Sequence, residues 1–265
     1  MKSLMFNLPG KINDSDIFIS KLFCIFEIEN IFDLEFYDNL KLEFPVDESL
    51  FKTFDIGKKN FLNNENKKFY KFIKRNINYL KLYNYFNNPK TFKKIFNLLK
   101  SEIIKIEERK KINNVFLVST NNKFIIKTLK FFFGLFNIKI VKLGFEFSII
   151  KNDCYIPLHT DKMNKLISLM IYIPENNNTE NEINWGTCFY KIKNNNQNIK
   201  LWDSTFMNEE DSQKYHRYIE KFYQSPFTKN KLVGFLKSNN SFHKIEKIKQ
   251  KDAIRKSINI NYYIQ

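Results

Sequence analysis

The sequence predicts an α+β fold, a helix-rich first half packed against a core of short strands. Two observations carry this: apolar residues recur at three- and four-residue spacing before about position 136, and short apolar runs between Asn-rich turns follow it. In Pro89 to Lys111 the apolar positions are Phe92, Ile95, Phe96, Leu99, Ile103 and Ile106, one face of a helix, with Asn88 and Pro89 as N-cap and first helical residue. Glu65 to Tyr85 and Lys123 to Phe136 read as two further helices, all three being scaffold packed on a sheet.

From Asn137 the runs IKIVKLGFEFSII, LISLMIYIP, WGTCFYKI, KLVGFLK and SININYYI read as strands, and Asn208 to Tyr223 as a helix inserted among them. Many short strands with irregular turns fit a sandwich or jelly roll better than a parallel sheet with regular crossover helices. The expected organisation is therefore residues 1–136 as a helix-rich region and 137–265 as the core, with a helical insert at 208–223, the whole forming one compact unit.

At 265 residues the chain is long enough for one large core. Cys24, Cys154 and Cys188 are odd in number and widely spaced, so neither a disulfide framework nor a thiolate zinc site is indicated. The first residues, MKSLMFNLPGKINDSD, lack the apolar core of a signal peptide, and no window reaches the roughly 18 apolar residues of a membrane span. A cytoplasmic protein without a membrane partner is expected. The formal charge is +16, but the chain is saturated with Lys, Asn, Ile and Phe and holds one alanine, Ala253. Its lysines run among Asp and Glu with no Arg-rich block, which argues against nucleic acid as a partner.

Chemistry gathers around His159-Thr160-Asp161, just after a strand. The i, i+2 spacing puts an imidazole and a carboxylate on one face of an extended segment. A second histidine would complete the facial triad that leaves three open positions on an octahedral iron(II). Of the three histidines, His216 falls within the expected helical insert, and His243, in the strand-like SNNSFHKIEKI, is the better third ligand. Beyond it, Arg255, Ser257, Asn259 and Asn261 alternate with Ile258, Ile260 and Tyr262. That polar face meets either solvent or a wet cavity, and a guanidinium beside a hydroxyl suits the bidentate grip of a dicarboxylate.

HTD at 159–161, KLISLMIYIP at 165–174, WGTCFY at 185–190, SFHKI at 241–245 and RKSINI at 255–260 together resemble the iron(II)- and 2-oxoglutarate-dependent dioxygenases, particularly the prolyl-hydroxylase-like and phytanoyl-hydroxylase-like branches. The resemblance covers Gly144 to Gln265. It implies a double-stranded β-helix core, iron(II) on His159, Asp161 and His243, and 2-oxoglutarate held by Arg255 with help from Ser257 and Tyr172. It further implies hydroxylation by O2 of a small-molecule or peptidyl substrate, with succinate and CO2 as co-products. A carboxylate at Asp161 favours hydroxylation over halogenation, since related halogenases carry a small residue there.

Two features depart from the family. Ile150 and Asp153 stand where many relatives have Tyr and Gly, and Trp185-Gly186 replaces a Gly-Gly pair. The segment Glu175 to Asn184 reads either as a lid or as a solvated turn, and Trp185, Phe189 and Phe242 as apolar walls of the site or as ordinary core. A nucleic-acid demethylase on the same core would carry a second Arg six residues beyond Arg255, where Asn261 stands. A non-catalytic jelly-roll binding protein is the remaining alternative.

Overall fold

The computed structural model describes residues 23–120, 122–175, 183–193 and 218–265. Among the described residues, five helices, α1 (Leu34–Leu42), α2 (Lys67–Arg75), α3 (Ile77–Phe86), α4 (Pro89–Lys105) and α5 (Lys123–Leu135), interleave with strands β1 (Ile25–Ile28), β2 (Lys52–Thr53), β3 (Asn60–Asn63) and β4 (Asn114–Val118). The later strands are β5 (Ile138–Lys151), β6 (Ile156–His159), β7 (Lys165–Ile173), β8 (Cys188–Ile192), β9 (Ile219–Gln224), β10 (Leu232–Leu236), β11 (Phe242–Ile245) and β12 (Ile254–Ile264).

They form two sheets. The larger runs β1-β10-β7-β12-β5-β3-β2, antiparallel throughout, with β4 added parallel to the first half of β5; the smaller runs β6-β11-β8-β9. Strand alternation assigns the two faces of the larger sheet to different partners. Phe145, Phe147, Ile167, Leu169, Ile171, Ile258, Ile260 and Tyr262 point to the helical side, where they pack with Phe69, Tyr79, Phe86, Phe92 and Leu99. Tyr172, Val233 and Phe235 point the other way and meet Phe189 of the smaller sheet. The space between the sheets is where the polar residues gather.

Phe147 anchors the helical side, its ring edge-on to Tyr79 at 4.8 Å and to Phe44 at 5.6 Å between centroids. Truncating so buried a ring to alanine costs about 3–5 kcal/mol. The helix predicted from Pro89 forms because Asn88 accepts a hydrogen bond from the Lys90 amide and Pro89 fills the first position. It stops at Lys105, short of Lys111, where Ile106 turns extended and a 3-10 turn follows. The single helix expected over 65–85 is two, because Asn76 takes an extended conformation (φ −118°, ψ 94°) between α2 and α3.

Two further sequence expectations are corrected. The last part of the helix expected over Asn208 to Tyr223 is strand: Ile219–Gln224 pairs with β8, where ladder hydrogen bonds, the buried Ile219 and the Lys191–Glu220 ion pair at 2.8 Å outweigh local helix preference. Residues 208–217, His216 included, lie outside the described residues. The first half, read as helical, also contributes β1, β2, β3 and β4 to the larger sheet. These strands have two to five residues each, too few to declare a period. Cys24, Cys154 and Cys188 are free thiols.

Candidate functional site

His159 ends β6 and His243 lies in β11, and the two are directly opposite each other in the antiparallel register. Cross-strand partners on one face bring their side chains together, here with ring centroids 4.2 Å apart. A register irregularity between His243 and Ile245 follows at once, a common device for re-aiming side chains beside a site. Two residues past His159, Asp161 returns its carboxylate to the same place: Oδ1 is 3.9 Å from His159 Nε2 and Oδ2 is 4.0 Å from His243 Nε2. One ligand atom from each residue can be chosen so that all lie within 4.8 Å of one another, and all three residues are buried.

The backbone decides which imidazole nitrogen faces inward. His159 Nδ1 contacts the Pro157 carbonyl at 2.8 Å and His243 Nδ1 the Ser241 carbonyl at 2.9 Å. A carbonyl only accepts, so each Nδ1 carries the proton and each Nε2 presents a lone pair to Asp161's side. Burial first, then neighbouring His243, pushes His159 down to about 3 despite the attraction of Asp161. Burial also lowers His243. Burial alone would raise the Asp161 carboxyl, but Lys165 and after it the two histidines hold it well below the usual carboxylate range. At neutral pH the set is two neutral imidazoles and a carboxylate, the protonation state a divalent ion requires. Bonds of about 2.1 Å put adjacent ligand atoms about 3 Å apart, so side-chain shifts of about 1 Å would close this set on an ion.

Asp161 is itself held from two sides. Lys165 Nζ donates to Oδ1 at 2.6 Å and Ser168 Oγ to Oδ2 at 3.0 Å. Sequence reading missed the role of Lys165; the signal was a lysine four residues after Asp161 at the head of a largely apolar strand. It also missed Phe235, whose ring lies 4.5 Å from that of His243.

Arg255, the second residue of β12, has 1% of its surface exposed. Its Nε donates to the Trp185 carbonyl at 2.6 Å and Nη1 to Ser257 Oγ at 3.3 Å. The guanidinium lies over the rings of Phe227 and Tyr172, 4.9 and 5.2 Å from their centroids. Nη2 is buried with no hydrogen-bond acceptor, and no carboxylate pairs with Arg255 among the described residues. A buried cation without a counter-ion is costly unless an anion arrives to pair with it. The Tyr172 hydroxyl accepts from the Thr187 amide and donates to Thr187 Oγ1, both at 3.1 Å, which fixes the ring beneath the guanidinium.

The polar face of β12 looks into the cavity rather than out to solvent. Ser257 Oγ donates to Asn259 at 3.3 Å, Asn259 donates to Glu146 at 2.9 Å, and Glu146 pairs with Lys59 at 2.8 Å. Together with His159, Asp161, His243, Ser168, Met170 and Arg255 these residues line one cavity of about 270 Å³. Phe54, Ile56 and Phe61, from the segment around β2 and β3, form part of its apolar wall.

Ile150, one of the family departures, is fully buried opposite Arg255 on the neighbouring strand. In the other departure Trp185 replaces a glycine while Gly186 keeps one, and Gly186 has no room for a side chain: a Cβ there would sit 1.5 Å from the Ser225 carbonyl oxygen. Phe189 packs between the sheets, 6.4 Å from the His243 ring, whereas Phe242 joins Leu158 and Tyr190 on the opposite face of its sheet. Most of the expected lid, residues 176–182, lies outside the described residues.

No protein-family model matches the sequence, and no curated protein matches it. Solved structures are similar to it at low identity. A prolyl-4-hydroxylase from Pseudomonas putida is 8% identical with a TM-score of 0.42, over 91% of this chain and 92% of that one. A Trichoplax adhaerens prolyl hydroxylase in complex with a hypoxia inducible factor peptide fragment is 10% identical with a TM-score of 0.46, over 90% and 83%. HygX from Streptomyces hygroscopicus, with nickel, 2-oxoglutarate and hygromycin B bound, is 8% identical with a TM-score of 0.45, over 95% and 87%. At such scores and identities the likeness assigns no role to any residue of this chain.

Proposed function

We propose that this protein is an iron(II)- and 2-oxoglutarate-dependent dioxygenase that hydroxylates a small molecule or a peptidyl side chain. One observation carries the reading: a buried Arg255 without a counter-ion opens onto the same cavity as the convergent His159, Asp161 and His243. The strands of residues 137–265 in the two sheets are then the facing halves of a double-stranded β-helix, or jelly roll, with residues 1–136 packed on it and lending β1 to β4 to the larger sheet.

His159 and His243 offer Nε2 to the metal, each aimed by its Nδ1–H on a backbone carbonyl. Asp161 supplies the carboxylate, oriented by Lys165 and Ser168. Arg255 receives the far carboxylate of 2-oxoglutarate on its free Nη2, with Ser257 beside it and Tyr172 keeping the guanidinium plane in place. When bound, iron(II), 2-oxoglutarate and O2 supply oxidative decarboxylation to succinate and CO2 coupled to C–H hydroxylation. The protein places the substrate bond and excludes water, with Phe235, Phe61 and Met170 as apolar surface near polar anchors.

Anaerobic addition of Fe(II) and 2-oxoglutarate tests the reading. A weak visible charge-transfer band should appear with the native chain and vanish in His159→Ala. Absence of the band in the native chain, with the protein folded, would sink the proposal.

A further inference from the structure

The mixing of lysine with acidic residues fails in one stretch. From Arg109 to Phe145 there is no Asp or Glu, while eight residues are Lys or Arg. Within it lies α5, expected to be scaffold, yet none of its residues is buried.

At 100° per residue the helix divides into three faces. Ile126, Leu129 and Phe133 are half-buried and turn to the body of the protein, where α5 lies against β5 and Phe133 stacks on Phe116 at 4.8 Å. Phe124, Phe131 and Leu135, at 77, 69 and 69% exposure, point away from it, with Ile125, Phe132 and Phe136 extending the same apolar surface. Lys123, Lys127 and Lys130 form a row along one border, and none pairs with a carboxylate among the described residues. Six of the twelve exposed large apolar side chains among the described residues lie between positions 124 and 136. A concentration of this size marks an interaction surface rather than scattered exposure.

We propose that α5 is an interfacial helix that seats this protein on an anionic phospholipid bilayer. The occupant follows from charge: an apolar, Phe-rich face bordered by unpaired lysines, in a segment without acidic residues, complements acyl chains beneath negative headgroups. The helix has 13 residues and lies along the surface; no described helix is long and apolar enough to cross a membrane. The inference departs from the expectation of no membrane partner and is independent of the chemistry proposed for the cavity.

The full chain is to be co-sedimented with phosphatidylcholine vesicles, with and without about 30% phosphatidylserine. Retention is expected only with phosphatidylserine. Each surface lysine contributes about fivefold to binding, so Lys127→Glu with Lys130→Glu should weaken it by at least about tenfold. Phe131→Ser with Phe132→Ser, both at exposed positions that leave the fold intact, should do the same. As an independent readout, Phe131→Trp should shift its emission to the blue on adding phosphatidylserine vesicles.

No retention, or retention that survives the Phe131→Ser, Phe132→Ser pair, overturns the proposal. So does a dimer that this pair converts to monomer without vesicle binding, which would make a second copy the occupant. Retention seen only after removal of residues 1–22 assigns the face to that segment, and binding to RNA but not to vesicles assigns it to nucleic acid; either result also overturns it.

Discussion

Lys165 holds Asp161 across 2.6 Å, and the pair is buried, with side-chain exposures of 12 and 8%. Burial on its own would lower the lysine, but the Asp161 charge raises it, so both members are ionised. The lysine therefore serves Asp161 as counter-ion when no metal is bound, and as an orienting donor when one is. Removing one member of such a pair leaves a buried charge uncompensated, at about 3 kcal/mol or more.

Lys165→Met should accordingly lower the thermal stability of the metal-free protein, and a saturating divalent ion such as Co(II) should recover most of the loss by supplying the missing positive charge. Melting curves with and without the ion decide this. An equal deficit in both conditions would show that Lys165 acts through packing alone.

Arg255 is placed to bind a carboxylate and contributes little to the metal site. Arg255→Gln should raise the KM for 2-oxoglutarate roughly 10- to 100-fold, the loss of about 1.5–3 kcal/mol from a charged hydrogen bond. Stability without 2-oxoglutarate should stay level or rise, since an unpaired buried cation is gone. Arg255→Lys should not restore affinity, because an ammonium cannot reproduce the planar grip or the stacking on Phe227 and Tyr172. Co-substrate saturation curves for the two variants are the measurement; an unchanged KM in both would remove Arg255 from the site.

The histidines bear on pH in two ways. In the unfolded chain they titrate near 6.5, whereas native His159 resists protonation until about 3. Between those values the unfolded state binds the extra proton, so stability from this group is full above pH 6.5 and declines as pH falls toward 3. The melting temperature of the metal-free protein should drop from pH 7 to pH 5, with a shallower slope in His159→Gln. Because both imidazoles are already neutral at pH 7, divalent-ion binding should release almost no proton. Calorimetric heats should then be equal in buffers of different ionisation enthalpy.

Gly186 is the position where a single methyl should matter most. With the Ser225 carbonyl oxygen 1.5 Å from an added Cβ, Gly186→Ala must displace backbone. It should destabilise by about 1–3 kcal/mol or more. Because the Trp185 carbonyl next to it accepts from Arg255, 2-oxoglutarate affinity should also fall. Denaturant melts together with co-substrate titration would separate the two effects.

Residue identity and periodicity determined much of this protein. Each of the five runs read as strands after Asn137 contains one, though WGTCFYKI is strand only from Cys188; His159, Asp161 and His243 converge, and Arg255 and Ser257 face the same cavity. These were legible because strand alternation and ligand type are local properties. The short strands of the first half and the strand at Ile219–Gln224 were not, since their stability comes from ladders to partners distant in sequence. Only the tertiary structure could set His243 opposite His159, bring Lys165 onto Asp161 and leave Arg255 without a counter-ion, because each depends on register and burial between separate strands. The exposure of α5 belongs to the same class: its sequence gives a helix rich in phenylalanine, and only packing decides which of those rings the body of the protein leaves uncovered.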